Sequence, residues 1–434
     1  MKRLTLLLAF AIALQSVVLA QSTASAIFLL IAPGASAGGT GEAQVAAATD
    51  AYASYWNPAA LAFLPRGEVV YQRAGWLPNL ADDMVYNYIG GRYNIPEVGT
   101  FGGHVIYLDL GEQEGRDPMN NPTGTFSSSM IAATVSFGTK MSPHSSVGFN
   151  AKIIHQNLAE FGAGSEKGKG VSTDFAFDIA YYRQQFLFSR LDLGVAVSNI
   201  GPKIAFIDED QADPAPTNLK LGFKWRMIQT QHNRLSFLYD MNKLLVASYP
   251  NIDYDGNGYI GGYDEDGNPS DGGEYGAEGK HEYAHTDPWY LALITSWFDD
   301  WRFGGDIDRN GDGIIQSPED YDDLNGNGQW DADEPYTDAN GNDYYDEGEV
   351  GNKDDATILD ELDTITHNVG LEYWYSTYFA IRAGFIYDKL GKIWNPTFGA
   401  GIHYGPYGFD FGYIYGEEGH PLTNTMRFSL NIAF

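Results

Sequence analysis

The sequence predicts an all-β fold: a 14-stranded antiparallel transmembrane β-barrel with an N-terminal plug segment and an acidic extracellular insert. Three observations lead there. From Met426 to Phe434 every even position is apolar, while Arg427, Ser429, Asn431 and Ala433 hold the odd ones. The preceding stretch inverts the phase, with Tyr407, Phe409, Phe411, Tyr413 and Tyr415 on one face and Gly408, Asp410 and Gly412 on the other. A period of two with a greasy exterior is the pattern of strands that face lipid outside and a polar lumen inside. Composition agrees, because 29 Tyr and 24 Phe suit interfacial girdles and 51 Gly suit tight strands and turns.

Residues 1–20 open with Lys2 and Arg3, continue as an apolar run from Leu4 to Ala13, and end on Val18, Leu19 and Ala20 before Gln21. This is the pattern of a cleaved secretory signal peptide rather than a membrane anchor. A second apolar run, Ala26 to Ala32, is too short to span a bilayer as a helix, which takes about 20 residues. There is no Cys, so neither a disulfide nor a cysteine-linked lipid can staple the exported chain. Residues 21–66 are rich in small side chains and read as the plug.

Alternation and turn residues place strands near 67–75, 84–94, 99–110, 125–138, 145–158, 172–184, 189–199, 216–226, 233–244, 364–376, 378–388, 396–404, 407–415 and 424–434. Strands one to nine then occupy 67–245, the insert 246–362, and strands ten to fourteen 363–434. Even strands lead into short turns such as Ser142-Pro143-His144, Ser376-Thr377 and Gly405-Pro406; odd strands lead into longer loops, Gly111 to Gly124, Ala159 to Gly170 and Gly201 to Pro214 among them. Short turns on one rim and long loops on the other mark periplasmic and extracellular sides, which puts the insert outside the cell. The alternating phase turns Asp174, Asp178, Lys220, Lys224, Asp240, Glu372, Arg382, Asp410 and Arg427 toward the lumen, as mutually paired or solvated groups.

The plug region contains Phe28-Leu29-Leu30-Ile31-Ala32-Pro33-Gly34-Ala35-Ser36-Ala37-Gly38-Gly39-Thr40-Gly41, followed by Asp50-Ala51-Tyr52-Ala53-Ser54-Tyr55-Trp56-Asn57-Pro58-Ala59-Ala60-Leu61. These stretches resemble the opening of the PorV/PorQ family of FadL-like outer-membrane barrels, whose pattern runs F-L-x-I-x-P-G-A-R-A-x-G-M-G and D-A-x-A-x-Y-W-N-P-A-G-L. The chain departs from it at Ser36 (Arg in the family), Thr40 (Met) and Ala60 (Gly). The resemblance implies a plugged, non-enzymatic barrel that serves type IX-like secretion as a docking or shuttle component, with outer-membrane lipid, secreted cargo and surface-attachment machinery as partners and no nucleic acid. FadL relatives instead move hydrophobic small molecules, and display of a calcium-dependent adhesion loop is a third reading. The block Asn57, Pro58 and Ala59 occurs in both groups, and Asn-Pro by itself initiates a turn.

The insert carries 31 Asp and Glu against Lys280, Arg302, Arg309 and Lys353, a net of −27 out of the chain's −31. Such density is usually a solvated face, yet its spacing is that of calcium loops, which supply oxygens from positions 1, 3, 5, 7, 9 and 12 around a turn glycine at 6. Asp308, Asn310, Asp312, Gln316 and Glu319 fit this register, and Asp323, Asn325, Asn327, Asp331 and Glu334 fit it again. A third copy runs Asp338, Asn340, Asn342, Asp346 and Glu349, with Asp343 at the glycine position. An isolated fourth has Asp253, Asp255, Asn257 and Asp264. The starts at 308, 323 and 338 share one spacing, which composition alone does not produce. The gaps between loops are too short for EF-hand helices, and the string is similar to thrombospondin type 3 repeats or dockerins. Structural Ca2+ is therefore expected to order the insert.

His281-Glu282-Tyr283-Ala284-His285 matches the zinc-protease pattern H-E-x-x-H, which requires a helix. Gly276, Gly279 and Pro288 flank it, so no protease is expected. The aromatic stretch Trp289 to Phe303, with Trp297 and Trp301, reads as a hairpin extending the barrel rim or as packing beneath the loops.

Overall fold

The computed structural model describes residues 24–81, 83–116, 122–159, 170–206, 212–254, 258–261, 282–299, 306–307, 319–322, 324, 330, 334–337, 345, 348, 358–416 and 424–434. The signal-peptide reading of 1–20 lies outside the described residues. Two compact units emerge: Met1–Val246 with Pro288–Tyr290 and Asp363–Phe434, and Ala247–Asp287 with Leu291–Leu362.

The first unit is a closed antiparallel barrel of fourteen strands. They are β1 Gly67–Gly75, β2 Val85–Ile95, β3 Gly99–Arg116, β4 Pro122–Ser142, β5 Ser145–Ala159, β6 Gly170–Arg183, β7 Leu191–Ile200, β8 Asn218–Gln229, β9 Asn233–Leu244, β10 Thr366–Tyr375, β11 Phe379–Asp388, β12 Ile393–Tyr404, β13 Tyr407–Ile414 and β14 Thr425–Ala433. Each strand pairs with its neighbours in sequence, β9 meets β10 from Thr366↔Asn242 to Tyr375↔Asn233, and β1 closes on β14 from Glu68↔Ala433 to Ala74↔Arg427. Gly67 and Phe434 exchange backbone hydrogen bonds at the seam, 3.0 and 2.9 Å. A closed wall leaves no strand edge unsatisfied, the condition for crossing a bilayer with strands.

The period-two pattern sorts the side chains as expected. On β14, Met426, Phe428 and Leu430 point outward, 50, 47 and 43% exposed, whereas Arg427, Ser429 and Asn431 are buried. Asp178, Lys220, Asp240, Arg382 and Asp410 are likewise buried inside.

Several strand boundaries differ from the sequence reading, and two of the differences have a clear physical cause. The β3–β4 hairpin extends into the stretch read as a loop from Gly111 to Gly124, with β3 running to Arg116 and β4 starting at Pro122. A bulge between Asp109 and Glu112 shifts the register, with Gly111 at φ 74°, so the alternation breaks while the pairing does not. Strand β12 begins at Ile393, upstream of Pro396. Pro396 is tolerated because its only bond on that side is accepted, from Tyr415 N at 3.0 Å, just past the end of β13. The turn pattern also has exceptions, since 184–190 after β6 is long and 389–392 after β11 is short.

The second unit holds two short pairings, Ser248–Tyr249 with His285–Thr286 and Ile252–Asp253 with Asp306–Ile307. Ile252 and Ile260 are fully buried in it. Trp289–Thr295 is a helix, not a hairpin strand; Trp301 lies outside the described residues.

Candidate functional site

The barrel's interior is built around the N-terminal segment. Phe28, Leu29, Tyr52, Tyr55, Trp56 and Leu61 pack with Tyr86, Tyr88, Ile106, Leu108 and Ile154 of the wall into one buried cluster. Tyr52 stacks on Tyr88 at 4.9 Å and its OH donates to Ser429 Oγ of the wall (3.1 Å), while Tyr55 OH donates to Leu29 O (3.0 Å) and Trp56 Nε1 to Pro33 O (3.1 Å), so the polar tips of the last two are satisfied within the segment.

Polar wall side chains hold the segment's backbone. Gly34 N donates to Gln72, Ala35 N to Ser429 Oγ (2.8 Å) and Gly41 N to Thr397 Oγ1 (2.9 Å). Asp240 Oδ2 accepts from both Gln44 N and Val45 N, at 2.6 and 2.7 Å. Asn57 does structural work at a chain reversal: its Oδ1 caps Ala59 N (3.0 Å) at the start of the 3-10 turn Pro58–Phe63, while Nδ2 donates to Val45 O and Tyr181 O (3.0 and 3.1 Å). Ser146 Oγ then donates to Ala59 O at 2.6 Å. Asp240→Ala is expected to destabilise the barrel by about 3 kcal/mol, because it orphans two buried N–H groups. Urea unfolding in detergent micelles measures this; an unchanged midpoint would contradict it.

Close approach of wall and segment backbones is possible because glycines face inward. A Cβ at Gly384 would sit 2.1 Å from Gly41 N, and one at Gly148 would sit 2.2 Å from Ala59 N. Gly384→Val is expected to cost about 1–3 kcal/mol by overpacking and to lift the segment off the wall. Since the chain has no Cys, the rate of thiol labelling at Thr40→Cys reports the displacement; equal rates with and without the Gly384→Val substitution would refute it.

The lumen charges form pairs. Arg382 Nε donates to Glu372 (2.9 Å) and Nη1 to Asp410 (2.7 Å), and Asp410's other oxygen is 3.0 Å from His403 Nε2. Arg427 Nη2 donates to Glu42 at 2.6 Å, Lys152 meets Asp178 at 2.9 Å, and Arg226 meets Asp192 at 2.9 Å. Lys220 lies over the Tyr55 ring, 4.3 Å from its centre. A cavity of about 380 Å³, lined mainly by polar side chains, remains between the N-terminal segment and residues of β8 to β14 and β1 beside the short turns.

Of the calcium-loop positions, Asp253, Glu319 and Glu334 are described, and each is buried, 2, 6 and 6% exposed. Asp255, Asn257, Asp264, Asp308, Asn310, Asp312, Gln316, Asp323, Asn325, Asn327, Asp331, Asp338, Asn340, Asn342, Asp346 and Glu349 lie outside the described residues. Among the described residues no three His, Cys, Asp or Glu converge on a metal position. Two loop closures are nevertheless visible. Glu334, at position 12, accepts from Leu324 N at position 2 (2.8 Å), and the loop's base is zipped by Asp322 N to Pro335 O (2.9 Å) and Thr337 N to Asp320 O (2.8 Å). Around Asp253, whose Oδ2 accepts from Gly258 N (2.8 Å), the corresponding contacts come from Glu282: its two oxygens accept from Tyr254 N (3.1 Å) and Gly261 N (3.0 Å). Sequence reasoning missed this role of Glu282, because 28 residues separate it from its partner Tyr254. Of the H-E-x-x-H residues, Glu282 is fully buried against backbone donors and His285 lies on a strand with its ring stacked on Tyr249, whereas His281 lies outside the described residues.

A family model described as "Type IX secretion system protein PorV" matches residues 16–251. No curated protein matches. Similar solved structures include the toluene transporter TodX of Pseudomonas putida, at 11% identity over 92% of this chain and 96% of that one, with a TM-score of 0.45. The toluene transporter TbuX of Ralstonia pickettii matches at 11% identity over 94 and 100%, TM-score 0.45. A Pseudomonas aeruginosa FadL homologue matches at 11% over 92 and 98%, TM-score 0.43.

Proposed function

The chain belongs to the PorV family, and from that premise we propose that this outer-membrane barrel is a docking or shuttle component in type IX-like secretion and surface attachment of exported proteins. The observation that carries the reading is the filled interior. The apolar volume that a hydrophobic solute would need is taken by Phe28, Leu29, Tyr55, Trp56 and Leu61 of the chain itself, so the N-terminal segment acts as a plug and the barrel works through its rims. The role is non-enzymatic. Deleting the gene tests it: exported proteins should accumulate in the periplasm while uptake of monoaromatic hydrocarbons stays normal. The reverse result would favour a FadL-like channel; normal export with lost surface adhesion would favour display.

The insert is the extracellular, calcium-organised part of this reading. It joins β9 to β10 at the rim away from the short turns. Its predicted ligands are all oxygen donors, and the closure by Glu334 fits the acidic twelfth position of a calcium loop, while Glu282 makes the corresponding contacts around Asp253 from outside that loop. Bound Ca2+ would supply the charge that lets clustered carboxylates pack, in place of disulfides.

A further inference from the structure

We propose that the groove on the outer wall of β7, β8 and β9, beside the short turns, is a binding site for one anionic phospholipid. The inference stands on the closed transmembrane wall and its surface chemistry, and holds whether or not the barrel serves secretion.

The groove follows from the register of three strands. Asp192 on β7 and Arg226 on β8 pair inside the barrel at 2.9 Å, so Leu191 and Trp225, which alternate with them, face outward. Leu191 lies opposite Trp225 and Trp225 opposite Phe237, while Phe223 lies opposite Tyr239. Phe188, from the turn 184–190, completes the lining, and the six side chains border about 370 Å³. One of them is fixed from the side, since Tyr239 OH is 2.8 Å from His367 Nδ1 of β10. A flat apolar wall touches a lipid tail on one side, whereas a groove between bulky rings surrounds it and multiplies the dispersion contacts.

A cation stands at the short-turn end of this groove. Arg190 directly precedes Leu191, and its Nη1 donates to Met227 O (3.2 Å), two residues beyond Trp225 toward the turn. The guanidinium is exposed and has five donors, so most of them face outward chemistry rather than the protein. Arg183, at the end of β6, is exposed on the same outward surface, opposite Leu193. The turns beside them, 184–190 and 230–232, contain no Asp or Glu, in a chain whose net charge is −31. A local positive field therefore sits at the mouth of an apolar groove.

Charge complementarity selects the occupant. A phosphodiester meets the two arginines while an acyl tail of the same molecule fills the groove, which is the build of a phospholipid. The short turns mark the periplasmic side, where the leaflet of an outer membrane is phospholipid. A zwitterionic headgroup brings its own cation to the arginines, so a headgroup with net negative charge is preferred.

The test uses the full chain in detergent micelles doped with equal amounts of dioleoyl phosphatidylglycerol and dioleoyl phosphatidylcholine, read by native mass spectrometry. One phosphatidylglycerol should be retained per barrel, about fivefold or more above phosphatidylcholine. Dihexanoyl phosphatidylglycerol, the same headgroup on short tails, should not displace it at equal concentration. Arg190→Gln should lower the preference about fivefold. Leu191→Trp, which fills the groove and keeps both arginines, should lower retention of the long-chain lipid by a similar factor. Heat-dependent gel mobility identifies folded variants, and Leu191→Trp carries the test should Arg190→Gln fail to fold. Equal retention of the two long-chain lipids, displacement by the short-chain one, or unaltered retention in either folded variant would overturn the proposal.

Discussion

Arg382→Met is expected to destabilise the barrel by about 3–5 kcal/mol, because removing one partner of a buried ionic network leaves charge uncompensated. Arg382 is 3% exposed and binds Glu372 and Asp410 on the neighbouring interior surface, while His403 holds only the far oxygen of Asp410. Without the guanidinium, Glu372 and Asp410 lose the partner they share, and His403 remains on Asp410 alone. The diagnostic comparison is the triple variant Arg382→Met, Glu372→Gln, Asp410→Asn. It should recover most of the loss, since the penalty comes from unpaired charge and not from missing bulk. Equilibrium unfolding in micelles reads both effects. A single variant as stable as the parent, or a triple variant no better than the single, would show that the network contributes little.

Removing Ca2+ should give the second large effect. The insert has no disulfide to order it, and its net charge of −27 favours expansion of the metal-free chain. A site saturated at 100 times its dissociation constant adds about 2.7 kcal/mol of stability, so several sites together would govern whether the insert folds at all. With millimolar Ca2+ the insert should resist protease, and with chelator it should be cut at least tenfold faster while the barrel stays intact. Glu282→Ala should reproduce part of the chelator effect at the loop around Asp253. Identical cleavage with and without chelator would end the calcium reading.

The barrel was legible because one side of each strand meets lipid. That constraint writes period two into Met426–Phe434 and Tyr407–Tyr415 without help from distant residues, and the observed exposure follows it. Where local geometry breaks the period, as at the bulge after Asp109, the pattern ended before the pairing did. Inner contacts were less legible. Asp240 could be assigned to the lumen, but its pair of N–H donors is separated from it by nearly 200 residues. Inward glycines such as Gly384 could be counted as turn or strand residues, yet nothing nearby in sequence reveals that a second backbone passes there. Asn57 was the exception, since a capping side chain acts on the residues beside it and its role as a turn former is local. Glu282 lay within a motif that pointed elsewhere, and only the folded contacts with Tyr254 and Gly261 gave it a place.

A plugged outer-membrane barrel that docks exported proteins must touch them in the cell. Crosslinking in intact cells, followed by purification of the chain from native outer membrane and mass spectrometry, should therefore enrich type IX secretion components together with exported proteins. Recovery of the barrel alone, from cells in which those components are present and active, would contradict it.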